Sequence, residues 1–136
     1  MVREIIHDPL LLSRKSVPAT EADLPVAQDL LDTLHAHLDH CVGLAANMIG
    51  ERKRIIAICN GPLIVAMLNP KILRKSGEYE TEEGCLSLDG KRKTRRYRSI
   101  RLQRQDLQMK KRIGNLDGFQ AQIVQHEIDH CDGLLI

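Results

Sequence analysis

Two histidines near the end of the sequence, His126 and His130, are four residues apart, and Glu127 lies between them. On a helix this spacing places both imidazoles on one face, where they can bind a single divalent ion. The adjacent carboxylate can then act as the general base for an attacking water. The segment from Gln125 to His130 therefore predicts a metal site that activates water for hydrolysis. The alternative is an ordinary amphipathic helix with two surface histidines.

Two histidines leave such a site one ligand short, and Cys85 in the segment 82–88 is the candidate for the third. A thiolate with two imidazoles leaves a fourth position open, which is typical of a catalytic metal site. Two other cysteines do not favour this role. Cys59 lies in an apolar run, where a buried inert thiol is expected. Cys131 directly follows His130, so a helix cannot direct both side chains at one ion.

Two helices are predicted from periodicity and capping residues. Apolar residues recur every four positions from Val26 to Leu38, which predicts an amphipathic N-terminal helix of about five turns. A capping box at Thr20 and Asp23 precedes it. The second helix carries the histidines; it is expected to be capped by Asp117 and to end near Gly133.

Strands are predicted between the two helices. Apolar, partly β-branched runs at 54–59 and 63–68 surround Asn60-Gly61-Pro62, which predicts a hairpin. Asn69-Pro70 is expected to end its second strand, and further strands are expected at 79–83 and 99–104. Small residues in the stretch 41–50 permit close backbone approach to a ligand, although a tight structural turn is the simpler interpretation.

The composition indicates one domain, residues 1–136, with an ordinary apolar content and a net charge of +2. That charge is too small to imply nucleic-acid binding by itself. No apolar run resembles a signal peptide or a membrane span, so we expect a cytoplasmic protein without membrane contact. In that compartment the four cysteines are expected to be thiols or metal ligands rather than disulfides.

Residues 91–112 contain eleven Lys or Arg and a single acid, Asp106. One interpretation is a solvated edge strand and loop that charge protects from aggregation. The other is a basic strip that binds ribosomal RNA, or the carboxylate end of a peptide, in a salt-dependent way.

The motifs Glu83-Gly84-Cys85-Leu86-Ser87 and Gln125 to His130, preceded by the small-residue stretch 41–50, resemble those of peptide deformylases. That family carries G-x-G-x-A-A-x-Q, then E-G-C-x-S, then Q-H-E-x-D-H. The chain resembles a short, divergent member, because Cys41 replaces the first Gly and Met48 replaces the Gln of the first motif.

The resemblance implies an α+β fold with short antiparallel sheets around a central metal-binding helix. It implies a metal-dependent hydrolase that removes the formyl group from the N-formylmethionine of nascent polypeptides. The ligands would be Cys85, His126 and His130, with Glu127 as catalytic acid and base. The metal would be one Fe(II) ion per chain, with zinc or nickel as alternatives.

The resemblance also implies how substrate is bound. The N–H of Leu86 would stabilise the oxyanion, and the backbone of Gly43 would pair with the extended peptide. Arg96 would lie near the substrate. The methionine pocket would be formed by Val42, Phe119, Ile123 and the stem of Gln122.

Met48 is the departure with a chemical consequence, because the Gln of the family motif donates to the formyl oxygen and Met has no N–H. Losing one such donor typically lowers kcat by about 10²–10³. The neighbouring amide of Asn47 is a candidate replacement. Two alternatives to an efficient deformylase follow. One is a paralogue of low or no activity that binds formylated peptide or the ribosome, and the other is a hydrolase of a different N-acyl group.

Overall fold

One five-stranded antiparallel sheet, in the order β1-β2-β3-β4-β5, forms the centre of the computed structural model, which describes all 136 residues. The strands are β1 (Gly43–Ala45), β2 (Ile55–Asn60), β3 (Leu63–Cys85), β4 (Leu88–Gln105) and β5 (Lys111–Asp117). The helices are α1 (Pro9–Leu12), α2 (Leu24–Ala36) and α3 (Gly118–Cys131), with two 3₁₀ helices at Glu21–Asp23 and Ala46–Ile49. The α+β fold class is confirmed, and the strands join into a single sheet rather than several short ones.

The N-terminal helix begins as the capping residues predict but ends early. The N–H of Thr20 donates to the Asp23 carboxylate at 2.8 Å and starts the 3₁₀ turn that leads into α2. The helix ends at Ala36, because the next residue leaves the helical conformation with φ −120° and ψ 19°. Leu38, predicted to lie on the apolar face, is outside the helix and 42% exposed.

The hairpin of β2 and β3 is confirmed, with Asn60 paired to Leu63. The prediction that Asn69-Pro70 ends the second strand is wrong, since β3 continues to Cys85. The proline lies at a register shift between residues 68 and 71, where its missing N–H breaks no ladder bond. Asn69 has a positive φ of 51°, and its amide bonds both backbone groups of Ala19.

Strand β2 lies at the centre of the core. Its first four residues, 55–58, are all buried, which requires cover on both faces of the sheet because neighbouring side chains point to opposite faces. Both α2 and α3 pack against this strand. Leu30 and Leu34 of α2 and Val124 of α3 are fully buried there. The helix with the metal motif is therefore fixed against the most buried part of the sheet.

Strands β3 and β4 extend beyond the rest of the sheet as a two-stranded arm. The arm turns at Leu86 and Ser87, so the site motif lies at its tip. Acidic residues of β3 stand opposite basic residues of β4, with Glu80 paired to Arg95 and Glu82 to Lys93. The basic strip expected from the sequence is therefore partly neutralised across the arm.

The metal-motif helix has the predicted limits. Asp117 is its N-cap residue, although its side chain makes no capping hydrogen bond. Gly133 follows the end of α3 with φ +79°, a conformation that favours glycine. None of the helices has both the length and the apolar character that crossing a membrane would require.

Candidate active site

Three ligand atoms converge where the end of β3 meets α3. Cys85 is the last residue of β3, and His126 and His130 lie on successive turns of α3. The Sγ of Cys85 is 3.2 Å from Nε2 of His130, and the two Nε2 atoms are 3.1 Å apart. Ligand atoms around one tetrahedral ion lie roughly 3.3–3.6 Å apart, so these three fit a single divalent ion with little movement. The three residues form the one convergent metal-ligating group of the chain.

The carboxylate of Glu83 organises the surroundings of the ligands. It accepts hydrogen bonds from Nδ1 of His126 at 2.8 Å and from Nε2 of Gln122 at 2.8 Å. Arg96 donates to it through Nε and Nη2, with Nη2 at 2.7 Å. The bond at Nδ1 orients the His126 ring and leaves Nε2 free for a metal. Although burial opposes its ionisation, these hydrogen bonds together lower the pKa of Glu83 to about 2.

Arg96 does not reach the substrate side of the site, contrary to the expectation from the resemblance. It is 3% exposed, and its guanidinium bridges Glu83 and Asp129, with Nη1 2.6 Å from the Asp129 carboxylate. Arg96 is held by two carboxylates inside the protein and is not among the residues that line the cavity beside the ligands. Its role is to join β4 to α3.

The two imidazoles differ in charge when no metal is bound. Burial alone would lower the pKa of His126, but the charge of Glu127 and the hydrogen bonds that the imidazole donates to Cys85 and Glu83 raise it to about 10. Burial and the positive charge of His126 lower the pKa of His130 to about 3. Because metal ligands must be deprotonated, a metal ion has to displace the proton of His126.

Glu127 has the environment of a proton-transferring carboxylate. It is 4% exposed, and its Oε1 has no hydrogen-bond partner. Burial raises the pKa of Glu127 to about 7, although the positive charge of His126 opposes this shift. A carboxylate that titrates near neutral pH can both accept and return a proton.

A cavity of about 700 Å³ opens onto these residues between β1, the tip of the arm and α3. Of the residues predicted to bind substrate, the cavity brings together Val42, Gly43, Phe119 and Ile123, and Leu86 also lines it. Phe119 is 63% exposed and stands at the mouth.

Gly43 is required by space, because a Cβ there would lie 2.8 Å from Ile123 Cγ2 and 2.9 Å from Glu127 Oε2. This close approach brings the free edge of β1 directly beside the carboxylate of Glu127.

Cys41 and Met48, the two residues that depart from the family motif, and the neighbouring Asn47 all form hydrogen bonds within the protein. The thiol of Cys41 donates to the Gly43 carbonyl at 2.8 Å. Met48 is 1% exposed, and its sulfur accepts from the N–H of Ala45 at 3.4 Å. Asn47 donates instead to the His130 carbonyl at 2.8 Å. Its amide nitrogen therefore faces the backbone of α3, which argues against the idea that it replaces the missing Gln as a formyl-oxygen donor.

The contact of Glu83 with His126 is the functional feature that the sequence reasoning missed. The sequence pattern marks Glu83 only as part of the motif that contains Cys85. The one available signal was the position of Glu83 two residues before a predicted ligand, on the same strand. Strand register pairs Glu83 with Arg92 and Arg96 with Tyr79, so neither periodicity nor strand pairing predicts the contact between Arg96 and Glu83.

An antiparallel α+β fold that holds two buried histidines and a partly buried cysteine beside an unpaired carboxylate is typical of the class of metal-dependent hydrolases. Comparison with known proteins identifies the family. A sequence model of the family described as polypeptide deformylase matches residues 2–136. A peptide deformylase of Clostridium beijerinckii is 53% identical over 136 residues, all of both chains. One from Dictyoglomus thermophilum is 36% identical over 141 residues, covering all of this chain and 91% of the relative.

Solved structures of peptide deformylases share the fold of this chain. The peptide deformylase of Thermus thermophilus matches with a TM-score of 0.86 and 33% identity over 99% of this chain and 83% of its own. That of Thermotoga maritima gives 0.89 and 29%, over 99% and 95% of the two chains. The chain therefore belongs to the peptide deformylase family, and its function is metal-dependent removal of the formyl group from N-formylmethionyl nascent peptides. None of these similarities favours the non-catalytic or other N-acyl alternatives.

The buried ion pair of Arg96 is expected to stabilise the protein more than an exposed pair on the same strand. Arg96→Met leaves the Glu83 carboxylate buried without its cation, which typically costs about 3–5 kcal/mol. Arg95→Met is the matched control, because the Arg95–Glu78 pair is 61% and 50% exposed and such pairs contribute about 1 kcal/mol or less. Urea unfolding measures both losses in the free energy of unfolding, and equal losses would contradict the role assigned to Arg96.

Proposed function

We propose that Cys85, His126 and His130 hold the catalytic metal ion and that Glu127 moves the proton in deformylation. The observation that carries this proposal is the convergence of three ligand atoms beside a buried carboxylate oxygen without a partner. We propose Fe(II) as the resident metal. One thiolate and two imidazoles form a donor set that also accepts zinc or nickel.

The reaction is the addition of water to the formyl carbon followed by cleavage of the C–N bond. A bound divalent ion supplies a Lewis acid that makes a coordinated water acidic near neutral pH. Glu127 accepts the proton released by the attacking water and delivers it to the leaving nitrogen, which gives formate and a free amine. The N–H of Leu86 donates to the formyl oxygen as it becomes negative.

The substrate is proposed to bind as an extended strand along the free edge of β1. Strand β1 pairs with β2 on one side only, so the backbone of Gly43 is available to a peptide on the other side. The methionine side chain would occupy the cavity against Val42, Phe119 and Ile123. Gln122 contributes its stem alone, since its amide donates to Glu83.

Two further proposals concern the whole chain. Residues 1–136 form one domain, which the single hydrophobic core of 24 buried residues supports. The protein acts in the cytoplasm, where nascent chains are made; the four free cysteines suit a reducing compartment.

Association with the ribosome is proposed through the part of the basic surface that lacks acidic partners. Arg74 and Arg101 face each other across β3 and β4, and Lys75 is next to them. Like charges directly opposite each other are unfavourable, and the guanidinium of Arg101 donates to the neutral amide of Asn115 at 3.2 Å. RNA phosphates would neutralise this cluster.

Glu127→Gln is expected to lower formate release from formyl-Met-Ala-Ser by at least about 10²-fold, because it keeps the side-chain shape and removes the base. Fe(II)-loaded protein is assayed without oxygen, and metal content is measured in parallel. Glu82→Gln, an exposed carboxylate on the same cavity, is the control and should keep the wild-type rate. A rate of formate release by Glu127→Gln near that of wild type would contradict the proposed role of Glu127 in proton transfer.

Met48→Gln is expected to raise kcat, since it adds an N–H donor where the family motif has one; one such donor is worth about 10²–10³ in kcat. Met48→Leu keeps an apolar side chain of similar size and should leave kcat unchanged. An unchanged rate in Met48→Gln would show that Leu86 alone suffices as the oxyanion donor.

The double variant Arg74→Glu/Arg101→Glu is expected to lose co-sedimentation with ribosomes at low salt while it keeps wild-type deformylation of a short peptide. Binding by the unchanged protein should weaken as salt rises, because each phosphate contact releases counterions. Lys93→Glu, on the part of the arm that faces Glu82, is the control. Undiminished sedimentation of the double variant would exclude this surface.

A further inference from the structure

The two histidine ligands are held in different ways. Nδ1 of His126 is bonded to Glu83 at 2.8 Å, the kind of outer contact that orients a metal-binding imidazole. His130 is 0% exposed, yet its Nδ1 has no hydrogen-bond partner. The position of the His130 ring therefore depends more on the backbone that carries it.

The backbone of His130 receives one side-chain hydrogen bond, and the donor is Asn47. Nδ2 of Asn47 lies 2.8 Å from the His130 carbonyl oxygen, across 83 residues of sequence. The other partner of this carbonyl, the N–H of Gly133 at 3.0 Å, belongs to the same helix end. Carbonyl groups in the last turn of a helix lack partners within the helix, and such ends fray. A donor from another element can hold this turn in place.

Asn47 is well placed to be that donor, because its own position is fixed. It is 4% exposed and lies in the 3₁₀ helix Ala46–Ile49. The same Nδ2 is 3.4 Å from the carbonyl of Leu12 at the end of α1. The N–H of Ile6 also bonds the Met48 carbonyl at 2.8 Å. The amide therefore connects three separate segments, and one of them carries a metal ligand.

We propose that Asn47 is a positioning residue of the metal site. Its amide holds the last turn of α3 and so keeps Nε2 of His130 directed at the ion. This inference rests on the metal ligands proposed above. It gives Asn47 a role other than donation to the formyl oxygen. A buried apolar side chain of the same size has no N–H to offer the carbonyl.

The test is the rate at which Co(II)-loaded protein releases its metal to excess EDTA, followed by the absorption of the cobalt–thiolate bond. Asn47→Leu is expected to release Co(II) about tenfold faster or more, the usual effect of losing an outer contact on metal affinity. Asn47→Asp has the same shape and, when ionised, no donor; it should change the rate in the same direction. Asn47→Asp also allows the test to be carried out if Asn47→Leu does not fold.

Ser16→Ala is the matched control. Ser16 is buried at the same helix end, where its N–H donates to the Cys131 carbonyl at 2.8 Å, but its Oγ has no partner. Its removal therefore breaks no side-chain hydrogen bond, and Co(II) release should stay at the wild-type rate.

Wild-type release rates in both Asn47 variants would overturn the proposal. So would a lower stability of the metal-free variants with no change in release, which would indicate a purely structural role. A wrong assignment of the metal ligands would give a different result. In that case Cys85→Ser would hold Co(II) as tightly as wild type, and the proposal for Asn47 would fail together with the proposed ligands.

Discussion

The buried carboxylate of Glu83 joins the three elements on which the site depends. It belongs to β3, two residues before Cys85, and it binds Arg96 of β4 and both Gln122 and His126 of α3. A buried carboxylate is stable only when its oxygens are satisfied, so these partners are fixed relative to one another. The strand that supplies the thiol and the helix that supplies the imidazoles are thereby held in one geometry.

The packing of α3 on the sheet also determines where β1 lies relative to the site. Because α3 packs on the buried first part of β2, the face of α3 that carries Glu127 lies beside β1, and the absence of a side chain at Gly43 lets the sheet edge approach Glu127. A peptide added to that edge would place its N-terminus next to the metal ligands. In the proposed mechanism, substrate alignment and proton transfer thus depend on the same close contact between β1 and α3.

Much of this arrangement could be predicted from the sequence, and the limits have physical causes. The spacing of His126 and His130 is helical, so their shared face follows directly, and the motif around Cys85 supplied the third ligand through its resemblance to a family. Local patterns also predicted the hairpin and the end of α3.

The role of Arg96 could not be predicted in this way. Strand register pairs Arg96 with Tyr79 and Glu83 with Arg92, so the contact between Arg96 and Glu83 depends on how the arm packs against α3, where the two side chains bond Asp129 and Gln122. The length of β3 was missed for a related reason, since the side chain of Asn69 and a register shift accommodate Pro70 within the strand.

The residues beside Met48, where the chain departs from the family motif, show the same limit: the sequence does not predict long-range contacts. Whether Asn47 faces the formyl oxygen or the backbone of α3 depends on how the 3₁₀ helix Ala46–Ile49 sits against α3, a long-range contact that the sequence does not record. The residue type shows whether a side chain offers an amide or a thioether, but it does not show in which direction that group points.

The ligand set is the central claim, and X-ray absorption spectroscopy of the Fe(II)-loaded protein at the iron edge tests it most directly. One sulfur at about 2.3 Å and nitrogen or oxygen ligands at about 2.0–2.2 Å are expected, and the sulfur should disappear in Cys85→Ser. An iron environment of nitrogen and oxygen alone in the unchanged protein would contradict the account.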